Sequence, residues 1–135
     1  MAESNPLQKI LIAGGGAMGA GIGYIFARAY PNAQVDVMET NEKVRLTAAE
    51  NFDKWALKDK ERDEKAGKTP VDISGRLNLL GGFGKAQLHY DLMLEAINEN
   101  MELKKKIFNE FDLRAHDHSL FASNTSSLSI TSLST

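Results

Sequence analysis

The stretch Lys9–Gly19, KILIAGGGAMG, decides the fold of this chain. Its first five residues form a short apolar run, which is typical of a strand buried in a sheet. Three glycines end the run, and from Ala17 to Tyr30 the apolar residues repeat with helical spacing. This pattern predicts a helix that ends before Pro31-Asn32, with an apolar face made of Met18, Ile22, Ile25, Phe26 and Ala29.

The glycines between this strand and this helix have the spacing G-x-G-x-x-G. In such a loop the first glycine permits a tight turn, the second lets the backbone touch a pyrophosphate, and the third lets the helix pack closely on the strand. The free N–H groups of the first helical turn then face the phosphates. The residues predicted to bind a dinucleotide are therefore Gly14, Gly16, Ala17, Met18 and Gly19. The alternative is a flexible glycine turn without a ligand.

Glu39 ends a second predicted strand, Gln34–Glu39, and lies 20 residues after Gly19. At this distance from the glycine loop, a carboxylate can accept hydrogen bonds from the ribose hydroxyls of an adenosine. A ribose 2′-phosphate would be repelled there, which favours NAD over NADP. The alternative is an incidental glutamate on the surface. The chain has no G-K-[ST] ending after its glycines, which disfavours a nucleotide triphosphatase loop.

The rest of the chain continues the alternation of strands and helices. Asn41 is predicted to cap a helix with Val44, Ala48, Phe52 and Trp55 on one face, and any continuation into the charged residues beyond Trp55 is expected to stand in solvent. Three strands and a helix follow, at Arg76–Leu80, Asp91–Ile97, Met101–Leu113 (the helix) and Ser119–Ser123. This order predicts one α/β domain over residues 1–135, with a doubly wound, mostly parallel sheet.

Composition excludes several classes of function. The net charge of −2 gives no basic surface for nucleic acid or for an anionic membrane. The chain has no cysteine, which excludes disulfides and thiolate metal sites. It has no apolar run long enough to span a bilayer, and its first residues lack the apolar stretch of a secretory signal. The expected location is the cytoplasm, or the mitochondrial matrix if a presequence has been removed.

Polar residues follow the last two predicted strands where ligands bind an open α/β sheet, at its carboxyl edge. One group is Asn98, Glu99 and Asn100, and the other is Asn124, Thr125 and Ser126. Lys104 lies in the first turn of the helix between them and is predicted to reach the same region. The residues alone leave open whether these are ligand contacts or only helix caps and a solvated charge.

Three segments closely resemble the NAD-binding domain of the 3-hydroxyacyl-CoA dehydrogenases: ILIAGGGAMGAGIGYIFA, DLMLEAINENMELKKKIFNEF and SLFASNTSSLSITSL. The resemblance runs from about Lys9 to the last residue, with Glu39 replacing the family's more usual aspartate. It implies oxidation of (S)-3-hydroxyacyl-CoA to 3-oxoacyl-CoA, with hydride transfer to NAD, in the β-oxidation of fatty acids. It also implies a homo-oligomeric complete enzyme.

The resemblance further implies roles for the polar residues at the carboxyl edge. Residues matching Glu99 and Lys104 contact the nicotinamide end of NAD. The residue matching Ser126 touches cofactor and substrate near the reacting carbon, and the one matching Asn124 lines the cofactor groove. The family also has a helical arm between its second and third strands that holds the CoA moiety.

The charged stretch beyond Trp55 matches that arm in position. Its lysines are therefore candidates for binding the CoA phosphates, and they are Lys58, Lys60, Lys65 and Lys68. Acids alternate with these lysines and cancel much of their field, so a purely solvated helix is an equal alternative.

The base of the family's reaction is a histidine, and the chain has three histidines. His89, His116 and His118 all precede predicted strands, so they are expected at the amino edge, opposite the cofactor. His116 and His118 have no third ligand near them, and no metal site is predicted. The family's histidine lies on a sixth strand, so residues 1–135 are interpreted as a domain truncated before that strand, binding cofactor without turnover. The alternative is a non-catalytic dinucleotide-binding module.

Overall fold

The structure is a computed structural model that describes residues 7–97 and 101–123. Five parallel strands form one sheet in the order β3-β2-β1-β4-β5. The strands are β1 (Lys9–Ala13), β2 (Gln34–Met38), β3 (Leu77–Leu80), β4 (Tyr90–Glu95) and β5 (Ala115–Ser123). The helices are α1 (Ala17–Ala29), α2 (Glu42–Lys65) and α3 (Met101–Leu113), and a short 3-10 turn lies at Phe83–Lys85. The predicted α/β fold with a parallel sheet is confirmed.

The central strand β1 is buried on both faces, which explains its unbroken apolar sequence. Ile10 and Ile12 pack in a core with α1 and α2, whereas Leu11 and Ala13 pack on the other face with α3. β1 pairs with β2 on one side and with β4 on the other. The chain therefore reverses its winding between β1 and β4, and ligands of such sheets bind outside the carboxyl ends at this point.

The apolar face predicted for α1 is wrong for Met18, Ile25 and Ala29, which are exposed, whereas Ile22 and Phe26 do pack against the core. Its buried residues are Gly19, Ala20, Gly23, Tyr24 and Ala27, whereas Met18 and Ile25 are 59% and 64% exposed. The reason is close packing: a Cβ on Gly23 would lie 2.8 Å from the Val37 side chain. Small residues allow the helix backbone to approach the sheet, so Met18 and Ile25 point away from it.

Helix α2 begins at the predicted cap, where Asn41 Oδ1 accepts the N–H of Val44 at 3.1 Å. It continues through the charged stretch, but the expectation that this part stands in solvent is wrong for one face. Asp59 and Asp63 are buried against α1, where Tyr24 donates its hydroxyl to Asp59 at 2.5 Å. Arg28 lies 3.5 Å from Asp59 and 3.4 Å from Asp63. Burial raises the pKa of Tyr24.

Strand β5 begins four residues earlier than predicted, so His116 and His118 lie inside it, at its amino end. His116 Nε2 lies 2.8 Å from Asp91 Oδ1, at the start of β4. The other oxygen of Asp91 accepts the backbone N–H groups of Gln8 and Lys9, each at 2.9 Å. His89 precedes β4, so all three histidines lie at the amino edge of the sheet, as predicted. No helix in the described part of the chain is long and apolar enough to cross a membrane.

Candidate dinucleotide site

Two glycines of the loop after β1 are required by the packing of the chain itself. Gly14 has φ +116°, in the left-handed region, and its N–H donates to Met38 at 2.8 Å. A Cβ at this position would lie 2.5 Å from the carbonyl oxygen of Ala96. A Cβ on Gly19 would overlap the carbonyl oxygen of Gly14. The tight turn and the close approach of helix to strand are therefore both present.

Gly16 has a different environment. Its φ is −68°, and a Cβ on it would meet no atom of the chain within 4 Å. The helix α1 starts directly after it without a side-chain cap and without an acid in its first turn. The N–H groups of this turn are therefore available to an anion. Open space beside uncapped N–H groups is what a pyrophosphate needs, so the loop fits this group.

Glu39 lies beside the glycine loop. Its Oε1 accepts the N–H of Gly15 at 2.8 Å, its Oε2 accepts the N–H of Asn41 at 3.0 Å, and the side chain is half-buried. Arg45 holds the backbone of the same residue through the Glu39 carbonyl oxygen at 2.7 Å. Each carboxylate oxygen keeps acceptor capacity after one such bond. Glu39 is thus a fixed acceptor next to the loop, as a ribose contact requires.

A cavity of about 550 Å³ opens beside Glu39, at the carboxyl ends of β1, β2 and β4 and against α3. This volume lies in the range of small-molecule sites. Apolar side chains form much of its wall, and charged groups lie among them. The lining residues are Gly14, Met38, Glu39, Thr40, Phe83, Ile97, Leu103, Lys106, Ile107, Asn109 and Glu110.

Of the residues that line this cavity, only Gly14 and Glu39 were predicted from the sequence as cofactor contacts. The helical spacing of Leu103 and Ile107 does indicate an apolar face of α3, but that face also packs in the core. Phe83 follows a weak strand and a pair of glycines, and nothing in its local pattern indicates a ligand. These residues are recognised as part of the site only because the structure places them around the same cavity as Glu39.

Lys104 occupies the predicted place in the first turn of α3, and its side chain is fully buried. Its Nζ lies 3.0 Å from Oε1 of Glu95, which is also fully buried. Glu95 accepts two further hydrogen bonds at 2.5 Å, from the Ser123 hydroxyl and from the N–H of Ile97. Glu95 was predicted only as part of a strand, although an acid at the end of a buried strand is a usable signal. The predicted contacts Glu99, Asn124 and Ser126 lie outside the described residues.

The four candidate lysines of the arm are all exposed, and the structure does not bring them together. Lys58 lines a cavity of about 440 Å³ between α1 and α2, with Tyr24, Trp55, Asp59 and Arg62. Lys60 lines a different cavity, of about 430 Å³, beside the loop that follows α2. Arg62 was not predicted, because it lies among charges of both signs.

A further cavity of about 230 Å³ separates the glycine loop from α2. Its lining includes the loop residues Gly15, Gly16 and Ala17, and on α2 the polar residues Lys43, Thr47 and Asn51. It shares the seam between α1 and α2 with the cavity at Lys58. Within the described part of the chain, no group of three or more acids and histidines is placed to hold a metal ion.

Comparison with known proteins gives one consistent result. Residues 9–135 match the family model described as 3-hydroxyacyl-CoA dehydrogenase, NAD binding domain. The chain is 36% identical over 131 residues to the mitochondrial hydroxyacyl-coenzyme A dehydrogenase of Sus scrofa, covering 94% of this chain and 41% of that protein. It is 30% identical over 127 residues to a probable 3-hydroxybutyryl-CoA dehydrogenase of Bacillus subtilis, covering 94% and 43%.

A solved structure agrees with these relatives. The 3-hydroxybutyryl-CoA dehydrogenase of Escherichia coli K12 has a TM-score of 0.72 at 26% identity, over 96% of this chain and 27% of that one. The chain thus spans less than half the length of the curated relatives it matches.

Proposed function

The chain belongs to the 3-hydroxyacyl-CoA dehydrogenase family, of which it contains the NAD-binding domain, and from this premise we propose that it supplies the cofactor half of such an enzyme. The reaction is the oxidation of (S)-3-hydroxyacyl-CoA to 3-oxoacyl-CoA, in which NAD, when bound, accepts the hydride. The observation that carries the proposal is the meeting of Glu39, the glycine loop and the 550 Å³ cavity at one edge of the sheet. The family match over residues 9–135 supports it independently.

The residues of this edge divide the work of binding. The N–H groups after Gly16 receive the pyrophosphate, Glu39 accepts the hydroxyls of the adenosine ribose, and the cavity walled by Phe83, Ile97 and Ile107 takes the adenine. We assign the nicotinamide side to Glu99, Lys104, Asn124 and Ser126, with Ser126 also facing the substrate. Support for this side comes from the family resemblance and from the place of Lys104 at the same edge of the sheet.

We propose the seam between α1 and α2 as the contact for the CoA moiety. Lys58 supplies a cation for its phosphates and Trp55 an apolar wall, and Lys43 lies nearer the glycine loop. Two of the acids expected to cancel the lysine field, Asp59 and Asp63, pair with arginines. Lys60, Lys65 and Lys68 are exposed and do not line the cavity at Lys58, so they contribute only a more distant positive charge.

Binding of CoA to the 135-residue chain tests this contact. Lys58→Ala should weaken CoA about two- to fivefold, the size expected for an exposed ion pair. Lys54→Ala is a matched control, because Lys54 is an exposed lysine of the same helix that does not line the cavity. Equal effects of both substitutions would contradict a site at Lys58.

The proton acceptor of the reaction is proposed to lie outside these 135 residues. The reason is the position of His89, His116 and His118 at the amino edge of the sheet, with His116 engaged by Asp91. The same observation favours the second candidate, a dinucleotide-binding module without turnover.

Two measurements test the function. Titration of the 135-residue chain with NADH should show binding, and its absence would contradict the cofactor proposal. Absorbance of NADH with acetoacetyl-CoA should then stay constant with this chain and fall with a polypeptide extended at its carboxyl end. A positioned general acid–base contributes roughly 10²- to 10⁴-fold in rate. Turnover by the 135 residues alone would mean that they contain the base, and no turnover by either polypeptide would favour the module.

We further propose that the complete enzyme is a homo-oligomer, located in the cytoplasm or in the mitochondrial matrix. The pig relative, named as mitochondrial, supports the second location. Light scattering of the purified enzyme and fractionation of the source cells test these two points.

A further inference from the structure

Glu95 joins three separate segments of the chain through one carboxylate. It accepts the ammonium of Lys104 in the first turn of α3, the hydroxyl of Ser123 at the end of β5, and the N–H of Ile97 just after β4. Both Glu95 and Lys104 are completely buried. A buried charge is costly unless it is paired and hydrogen-bonded, and this one is both.

The sheet does not need this carboxylate for its own hydrogen bonding. The backbone continues the ladder past Glu95, because Ala96 donates to Ala13 at 2.8 Å. The strand register sets Glu95 opposite Ala13, the residue before the glycine loop. The ion pair therefore lies beside the loop, at the point where the two predicted nicotinamide-side segments leave β4 and β5.

A second buried carboxylate, Asp36, shows what a purely structural acid looks like in this fold. It accepts hydrogen bonds from Tyr90 at 2.7 Å and from the amides of Asn78 and Gln34 at 3.2 Å. All three donors are neutral and lie on the sheet, and Asp36 is in the body of β2. Glu95 differs in having a cation as partner and in lying at the exit of its strand.

We propose that Glu95 is a positioning residue for the nicotinamide half of the cofactor site. It holds the Lys104 ammonium and the Ser123 end of β5 in one place before the cofactor arrives. A lysine side chain otherwise loses much rotamer entropy when it is immobilised, and a preformed pair removes that cost from binding. The inference rests on the proposed function, because it takes Lys104 as a cofactor contact.

The test compares NADH with ADP-ribose, which lacks the nicotinamide ring, on the 135-residue chain. Glu95→Gln keeps the size of the side chain and removes its charge. We expect NADH affinity to fall about tenfold, as for the loss of one charged hydrogen bond, and ADP-ribose affinity to fall less than about twofold. The fluorescence of bound NADH, which reports the surroundings of its ring, should also change.

Asp36→Asn is the matched control, since it neutralises another buried acid of the same sheet. We expect it to lower the melting temperature and to leave the ratio of the two affinities unchanged. A second variant, Glu95→Gln/Lys104→Met, removes both charges of the pair at similar volume. It should recover most of the stability that either single change loses, and its preference for NADH should stay lost.

The outcomes separate this inference from the proposed function. If the wild-type chain binds neither ligand, the proposed function fails and this inference fails with it. If the wild-type chain prefers NADH and Glu95→Gln keeps the same ratio, only the positioning role is overturned. The role is also overturned if NADH binds no better than ADP-ribose to the wild type, or if the double variant regains the NADH preference.

Discussion

The two edges of the sheet use their polar groups in opposite ways. At the amino edge the groups bind the chain's own backbone: Asp91 accepts two N–H groups, and Arg76 donates to the carbonyl oxygens of Ala27, Tyr30 and Ala33. At the carboxyl edge the first turn of α1 is uncapped, Glu39 keeps acceptor capacity, and a cavity lies beside them. The polar groups named at the amino edge are hydrogen-bonded within the chain, whereas those at the carboxyl edge keep hydrogen-bonding capacity beside a cavity.

The difference follows from the parallel fold. Strands β1, β2 and β4 each lead into a helix at their carboxyl ends, so the N–H groups of these helix starts collect at that edge. The helix ends with their carbonyl groups collect at the amino edge, where Arg76 serves as a cap for α1. The comparison predicts that equivalent substitutions at the two edges differ in kind: stability alone at one, stability and binding at the other.

The largest effect is expected from Lys104→Met, which leaves the buried Glu95 carboxylate without the ammonium that it pairs with. Breaking a buried ion pair in this way costs about 3–5 kcal/mol of unfolding free energy. His116→Gln is the counterpart at the amino edge, where Asp91 is part-exposed, and it should cost less than about 1 kcal/mol. Urea unfolding of both variants measures the difference, and similar losses would remove the contrast between the two pairs.

The next effect is the preference for NAD over NADP. A 2′-phosphate about 4 Å from the Glu39 carboxylate would be repelled by roughly 4 kcal/mol at an effective dielectric of 20, and by less in salt. Calorimetric titration should show the gap in affinity shrink as ionic strength rises and shrink again in Glu39→Gln. Equal affinities for the two cofactors in the wild type would mean that Glu39 lies away from the ribose.

A smaller effect is expected from Gly16→Val, which places a side chain in the open space before α1. Binding of NADH should weaken by about 1–3 kcal/mol, because the pyrophosphate can no longer approach the backbone. The unfolding free energy should change by only about 1 kcal/mol, since φ at Gly16 is −68° and no atom is near. Gly21→Val, at another uncrowded glycine of the same helix, is the control and should bind normally. Unchanged affinity for NADH in Gly16→Val would mean that the glycine loop is only a turn and does not contact the cofactor.

The smallest effect is expected on stability at low pH and comes from Asp91 at the amino edge. Burial works to raise the pKa of Asp91, but hydrogen bonds from His116, Gln8 and Lys9 outweigh it, and the pKa lies below its ordinary value of 3.8. This carboxylate therefore contributes stability that is complete above pH 3.8 and is lost as the pH falls through the lowered pKa. Asp91→Asn should flatten that part of the pH–stability curve by up to about 1 kcal/mol. The affinity of Asp91→Asn for NADH at pH 7 should stay unchanged. A loss of affinity at that pH would mean that the amino edge also contributes to cofactor binding.

Much of this architecture was predictable from local sequence, because backbone geometry is set by neighbours along the chain. Helix α3 has the predicted bounds, Asn41 caps α2, and Gly14 takes the left-handed turn that the glycine pattern indicates. Glu39 meets the glycine loop because strand order and a fixed spacing bring the ends of β1 and β2 together. These features depend on a few residues each.

Other features depend on which surfaces meet, and no local pattern contains that information. The outward direction of Met18 and Ile25 follows from the closeness of α1 to the sheet, which Gly23 permits. Asp59 is buried in a charged stretch because Tyr24 and Arg28 of α1 lie opposite it.

The contrast is greatest at the carboxyl edge. The sequence alone determined that a glycine loop and an acid would meet at this edge, since they follow the adjacent strands β1 and β2. Only the tertiary structure decided that Lys104 would be buried on Glu95 and that Phe83 would wall the cavity. Those contacts join residues that are far apart along the chain. For Lys104 and Glu95, burial makes the pairing of the two charges obligatory.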